Sequence, residues 1–237
     1  MPRHQKQGRS APVSVSQNFL TERKTIRRLI RIAGLRKADH VVEIGAGKGH
    51  ITRELAKTCA RVSAYEIDPS LSARLRGMFA SADGVRVTRG DFLEKPLPGD
   101  GPYKVFSNIP FSRTSEIIRK LTGPGSPPED IWLVTEKGAA LRFQGIPGDT
   151  RASLLLKPFY TAEIRYTFRR EDFHPAPSVD VVLLHLKPKP EPDLPLSRRR
   201  EYEAFIAKML TRRSPRPSGE TLYIQWLCLF RRLRGRP

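Results

Sequence analysis

The sequence predicts an α/β fold: a mostly parallel sheet with helices on its faces, followed by a small C-terminal helical domain. Two observations carry this. Short apolar runs alternate with helical patterns from residue 41 onward, and strands alternating with helices imply a mostly parallel sheet. The stretch Val41 to Thr52, Val-Val-Glu-Ile-Gly-Ala-Gly-Lys-Gly-His-Ile-Thr, reads as strand, glycine turn and helix. That is the first crossover of a nucleotide-binding, Rossmann-like sheet.

The elements follow in order. Met1 to Pro12 is basic and polar with almost nothing apolar, and is expected to be a disordered arm. A helix opens at Thr21 or Glu22, with Ile26, Leu29, Ile30 and Ala33 on one face and Gly34 past its end. Its other face carries Arg23, Lys24, Arg27, Arg28 and Arg31, either solvated or turned to a polyanion. Strand 41–44, helix 51–58 and strand 62–66 come next. Asp68 is a cap and Pro69 a first-turn residue for helix 70–80. Strands 85–89, 103–107 and 131–135 are separated by a Pro/Gly-rich loop at 95–102 and by helix 115–121. Helices 138–143 and 151–159 follow, then strands 162–168 and 179–187, expected to form a hairpin around 169–178. The Pro-dense run Lys187 to Pro195 reads as a stiff linker, with helices over 198–210 and 221–233 beyond it. Three parts result: a basic arm over 1–12, a Rossmann-like domain over 13–187, and a linker with a small helical lobe over 188–237.

Charge points to a partner. The net charge is +19, of which residues 1–40 carry +8, residues 41–186 carry +3 and residues 187–237 carry +8. The central region is nearly balanced and the two ends hold the excess, which is the footprint of a polyanion binder. Basic solubilising tails are the plain alternative. The basic stretches lack the long apolar face that a membrane-surface helix needs, and no apolar run reaches the length of a membrane span. The polar N-terminus does not read as a secretory signal. Cys59 and Cys228 form no ligand or disulfide spacing, which fits a reducing cytoplasm. The five histidines are scattered, and no metal site is expected.

The glycine turn narrows the ligand. A phosphate-cradling loop needs Lys-Ser or Lys-Thr after its last glycine, and here His50 follows Gly49. The dinucleotide pattern needs its third glycine one residue later. What stands here is E-x-G-x-G-x-G, which fits a ligand with a ribose and no pyrophosphate, commonly S-adenosylmethionine (SAM). A glycine-rich turn with no ligand is the alternative. Glu66 lies close to the place, ~20 residues past the turn, where an acidic residue takes ribose hydroxyls. Ligands of such sheets sit outside the carboxyl ends of the strands. Glu66-Ile67-Asp68, Gly90-Asp91-Phe92 and Asn108-Ile109-Pro110-Phe111 all stand at such ends, so they should meet around one pocket.

Those segments, with Gln17-Asn18-Phe19-Leu20 before them and Phe173-His174-Pro175-Ala176-Pro177-Ser178-Val179 after them, occur in an order that resembles the ribosomal RNA adenine-N6 methyltransferases. Asn108-Ile-Pro-Phe and the run Leu154 to Tyr160 look most like the Erm group, which dimethylates one adenine of 23S rRNA and confers macrolide, lincosamide and streptogramin B resistance. The likeness spans roughly residues 14–210; after Leu210 it is loose. It implies SAM as cofactor, held by Gln17, Asn18, Leu20, Gly45, Gly47, Glu66, Ile67, Asp91, Phe92 and Asn108. In that reading Asn18 and Leu20 border the methionine end, Glu66 bonds the ribose hydroxyls, and Asp91 accepts from the cofactor's adenine. Glu66 and Asp91 are otherwise caps or solvated carboxylates.

Adenine N6 is a poor nucleophile, and the sulfonium methyl is already activated. The protein therefore has to align the amine and accept its hydrogens, not generate a strong base. The Asn108 amide oxygen and the Ile109 carbonyl suit that task, with Pro110 biasing Ile109 to an extended shape. Phe111 and Phe173 would stack on the base, or else pack in the core. The implied partner is 23S rRNA, gripped by the basic arm and the C-terminal lobe of a cytoplasmic monomer. Related alternatives are a methyltransferase for adjacent adenines of 16S rRNA, whose usual motif is Asn-Leu-Pro-Tyr, and a non-catalytic RNA-binding relative.

Overall fold

The computed structural model describes residues 18–211 and 223–233. Gln17, the arm 1–12 and the break expected after Arg212 lie outside the described residues. The elements in chain order are β1 (Phe19–Leu20), α1 (Arg23–Ile32), β2 (His40–Ile44), α2 (His50–Thr58), β3 (Arg61–Glu66), α3 (Pro69–Met78) and β4 (Val85–Arg89). Then come β5 (Lys104–Asn108), α4 (Thr114–Leu121), β6 (Asp130–Glu136), α5 (Lys137–Gln144) and α6 (Arg151–Leu156). β7 (Tyr160–Thr167), β8 (Phe173–His174), β9 (Val181–Pro188), α7 (Arg199–Thr211) and α8 (Tyr223–Leu233) complete the chain.

Seven strands form one sheet in the order β4-β3-β2-β5-β6-β9-β7. The first five are parallel, and β9 runs against both β6 and β7. The expected hairpin is therefore present. From β2 the chain steps outward to β3 and β4, then returns to lay β5 on the other side of β2. The turns leaving β2 and β5 diverge at that reversal, and a crevice opens between them.

Alternation along the strands sorts side chains into two layers. Val42, Ile44, Val105 and Leu133 join one buried cluster, while Val41, Val62, Phe106 and Val134 join the other. Both faces are covered, which is why the central strands read as continuous apolar runs. Helix α1 lays Ile26, Leu29 and Ile30 against Ile51 and Leu55 of α2 in the second cluster. Each such aliphatic side chain contributes about 1.5–3 kcal/mol when fully buried. Glu22 caps α1 by accepting from the Lys24 amide at 2.9 Å, and Asp68 caps α3 by accepting from Leu71 at 2.9 Å.

The basic face of α1 divides. Arg23 and Arg27 bond Glu54 of α2, a carboxylate that is only 3% exposed, and Lys57 joins them. Arg28 lies 5.2 Å from the centre of the Tyr166 ring. Lys24 and Arg31 are exposed. The face is thus partly structural, and burial is the reason: a sequestered carboxylate needs its cations.

One local expectation is corrected, and one pairing is new. The helix expected over 151–159 ends at Leu156, because Pro158 has no amide hydrogen to continue the ladder, and Tyr160 already pairs with Pro188 in the sheet. The pairing of β1 with β8, Phe19 opposite His174 and Leu20 opposite Phe173, has no counterpart in the sequence reading. Two-residue strands carry no periodic signal.

The C-terminal helices α7 and α8 bury Tyr202, Phe205, Ile206, Trp226, Leu227 and Phe230 in the same cluster as Val42 and Val105. The Pro-dense segment before them bonds the core through Lys189 to the Phe159 carbonyl and Asp193 to the Pro158 carbonyl, both at 2.8 Å. Among the described residues no helix is long and apolar enough to cross a membrane.

Candidate active site

The crevice at the sheet reversal is a pocket of about 630 Å³. Its walls come from the segments named above: Asn18, Gly45, Glu66, Ile67, Asp91, Phe92, Asn108, Ile109 and Phe111 all line it. The rule of strand carboxyl ends thus brings the expected residues together.

From the glycine turn Gly45 lines the pocket and Gly47, expected beside it, does not. The amides of Gly45 and Ala46 both donate to the Tyr65 carbonyl, at 2.8 and 3.0 Å, which ties the end of β2 to the end of β3. Gly47 sits at φ +55°, and a Cβ there would come 2.6 Å from the Phe19 ring. Any side chain at this position would meet both strain and a clash. Gly47 donates to Glu66 Oε2 at 2.7 Å, and the Asp68 amide donates to Oε1 at 2.8 Å. Each carboxylate oxygen has two lone pairs, so Glu66 keeps acceptor capacity on both. Ile67 beside it is 56% exposed, an apolar side chain left bare inside a pocket.

Asp91 forms the far wall. Its Oδ1 accepts from the Leu93 amide at 2.9 Å, and its Oδ2 accepts from Arg113 Nη1 at 2.6 Å. Burial acts to raise its pKa, but the Leu93 amide and the Arg113 guanidinium outweigh it and hold the carboxyl below its ordinary value. Under the glycine turn, Glu43 is 1% exposed, and burial raises its pKa to about 8. Thr52 faces Glu43 and works to lower that pKa, without offsetting burial.

The turn after β5 forms the mouth. Asn108 Nδ2 donates to the Asn18 carbonyl at 2.8 Å, and Asn108 Oδ1 is buried with no partner among the described residues. The Ile109 amide donates to Val134 at 3.3 Å, which holds the turn against β6. Phe111 is only partly buried and faces the pocket.

Leu20 and Phe173 do not line the pocket. They pair across β1 and β8 and sit in the second core cluster, with Phe173 5.2 Å from Phe168 between ring centres. From the same segment, Ser178 and Val179 reach the pocket instead. Sequence reasoning also missed Arg113 and Glu136, which line it. The strand-end rule, applied to the strand expected at 131–135, would have found Glu136. Arg113 carries no signal beyond its place after Asn108-Ile-Pro-Phe. Among the described residues no group of His, Cys, Asp or Glu is arranged to hold a metal ion.

The residues fit SAM. Gly45 brings bare main chain to the pocket wall, Glu66 and Asp91 retain acceptors, and Asn108 Oδ1 waits for a donor. A pocket of this size suits a drug-sized ligand.

Known proteins agree. An rRNA adenine N-6-methyltransferase of Lysinibacillus sphaericus is 35% identical over 199 residues, covering 83% of this chain and 79% of that protein. A ribosomal RNA small subunit methyltransferase A of Prosthecochloris aestuarii is 35% identical over 184 residues, covering 75% of this chain and 69% of that protein. The crystal structure of the 23S rRNA methyltransferase ErmE superposes with a TM-score of 0.76 at 31% identity, covering 92% of this chain and all of that one. Residues 9–217 match ribosomal RNA adenine dimethylase, and the chain belongs to that family: it is a SAM-dependent rRNA adenine-N6 methyltransferase.

Proposed function

We propose that the target is an adenine of 23S rRNA and that methylation confers resistance to macrolide, lincosamide and streptogramin B antibiotics. The observation that carries the chemistry is the unpartnered Asn108 Oδ1 at the mouth of the pocket. A buried acceptor without a partner is disfavoured by about 1–3 kcal/mol; an amine hydrogen arriving there relieves it. When bound, the cofactor supplies a methyl group on a positively charged sulfur. Asn108 and the Ile109 carbonyl accept from N6–H and so aim the nitrogen lone pair and favour its developing positive charge. Phe111 offers a face for the base to stack on, and Glu66, Asp91, Gly45 and Gly47 hold the cofactor.

Identity alone does not separate the two readings, since a relative named rRNA adenine N-6-methyltransferase and one named ribosomal RNA small subunit methyltransferase A both reach 35%. The motif favours 23S: this chain has Asn108-Ile-Pro-Phe with the run Leu154 to Tyr160. The superposition with ErmE over 92% of this chain supports the same reading. The basic arm and the C-terminal lobe grip phosphates in this account. The chain acts as a monomer in the cytoplasm, with the part from residue 13 to 187 carrying the chemistry. Incubating purified chain and radiolabelled SAM with separate 23S and 16S rRNA tests the choice. Label in 23S is expected; label confined to 16S overturns it.

A further inference from the structure

The wall that holds Asp91 is itself held by one helix. Helix α4 begins at Thr114, shortly after the Asn108–Phe111 turn, and packs against the loop Asp91 to Lys95. Arg113, immediately before its first residue, donates Nη1 to Asp91 Oδ2 at 2.6 Å and Nη2 to Glu116 at 2.9 Å. Lys120, near its end, turns its ammonium back onto the same loop. Its Nζ donates to the carbonyls of Phe92 at 2.7 Å and Leu93 at 2.9 Å, and also to that of Lys95. It lies 4.9 Å from the centre of the Phe92 ring as well. An ammonium has three donors, and here three main-chain oxygens of one loop receive them.

We propose that Arg113 and Lys120 are positioning residues, which together fix the Asp91–Lys95 loop and give the cofactor site its selectivity for an amino-bearing purine. That role presupposes the assignment of Asp91 to the cofactor's adenine. Asp91 must present an ionised oxygen, acceptor only, in one fixed direction. Arg113 occupies one lone pair of Oδ2, and the Leu93 amide occupies one of Oδ1. The remaining pairs are then oriented by bonds the protein makes before any ligand arrives. An ionised acceptor receives an amino hydrogen but repels a carbonyl oxygen, so rejection of the oxo purine follows from the same geometry. Lys120 sets the main chain that carries Asp91 and Phe92. Because α4 grows out of the catalytic turn, the cofactor wall and the methyl-accepting mouth are anchored to one rigid element.

The test is calorimetric binding of S-adenosylhomocysteine and S-inosylhomocysteine to the full chain, the second bearing a carbonyl in place of the amino group. The wild type is expected to prefer the adenosyl form. Arg113→Ala should weaken the adenosyl form about tenfold and the inosyl form much less, so the preference shrinks. Arg113→Lys, which keeps the charge but not the fork, should restore part of it. Lys120→Met should also reduce the preference, and Lys120→Arg should recover it where the Met variant folds poorly. The acid limb of adenosyl binding should move to higher pH in Arg113→Ala, since a partly buried Asp91 without its cation protonates sooner. An unchanged preference in Arg113→Ala overturns the proposal, and so does tighter adenosyl binding, which would make Arg113 a competitor for Asp91. Asp91→Ala separates the two levels. If it abolishes the preference while Arg113→Ala does not, only the clamp fails; if it leaves the preference intact, the Asp91 assignment fails and the clamp with it.

Discussion

Asn108 and Asn18 are joined by a hydrogen bond from the Asn108 side-chain amide to the Asn18 carbonyl, 2.8 Å long, which fixes which end of the Asn108 amide faces the pocket. With Nδ2 engaged there, Oδ1 is the atom left without a partner among the described residues, and the proposed function gives it the substrate amine. The same bond tethers the residue before β1 to the turn after β5.

Asn108→Ala is expected to lower single-turnover methylation at least about tenfold while leaving RNA affinity nearly unchanged. In the proposed reading phosphate contacts lie elsewhere, and the amide acts on the reacting amine. Equal single-turnover rates in variant and wild type would remove Asn108 from the reaction.

Phe111 and Phe173 should separate cleanly. Phe111 is half-buried and lines the pocket, so Phe111→Ala should reduce methylation by the loss of a base stack, about 1–3 kcal/mol, with little change in melting temperature. Phe173 is 4% exposed in the core. Phe173→Ala should therefore destabilise the fold by about 3–5 kcal/mol, read as a lower melting temperature. A Phe173→Ala protein as stable as wild type but inactive would return that ring to the base site.

Glu54 makes stability depend on acid. Burial works to raise its pKa, but bonds from Arg27, Lys57 and Arg23 bring it down to about 2. A carboxylate depressed in the fold contributes stability above its unfolded value, about 4.3, and loses it as pH falls toward 2. Glu54→Gln should lower the melting temperature at pH 7, by an amount equivalent to about 1–3 kcal/mol. The gap to wild type should close as pH drops below 4. A gap that is constant with pH would mean the ion pairs contribute nothing.

Glu43 should act with the opposite sign. Its pKa is raised to about 8, mainly by burial. Between its unfolded value, about 4.3, and 8 the native state holds a proton that the unfolded chain has released, so this group makes stability fall as pH rises through that window. Glu43→Gln keeps the shape without the charge, and its advantage over wild type should grow from pH 5 to pH 8 in thermal melts. Parallel curves would place Glu43 in a more polar setting than the structure does.

Much of this was legible in the residues. Val41, Val42 and Ile44 before Gly45, Gly47 and Gly49 identify the first crossover, because only glycine tolerates the turn they make. The strand-end rule then gathers Glu66, Asp91 and Asn108 without any knowledge of contacts. What stayed hidden depends on pairing distant in sequence. Leu20 and Phe173 meet across strands too short for a pattern, so their burial was invisible. Arg23 and Arg27 look like a solvated face until Glu54 is seen beneath them. Arg113 is one basic residue among 43 Lys and Arg, and only its 2.6 Å bond to Asp91 distinguishes it.

The most direct test of the central claim expresses the chain in a macrolide-sensitive bacterium, then examines its 23S rRNA by primer extension alongside erythromycin susceptibility. Methyl groups on N6 remove hydrogen-bond donors and fill the space a macrolide sugar would occupy, so an atom that bonded the drug now blocks it. Dimethylation halts reverse transcription at the modified base. The expected result is one new stop in 23S rRNA, absent with Asn108→Ala or much weaker, together with growth in erythromycin. Full sensitivity and no stop in 23S, from soluble protein that does label 16S rRNA, would contradict the 23S assignment.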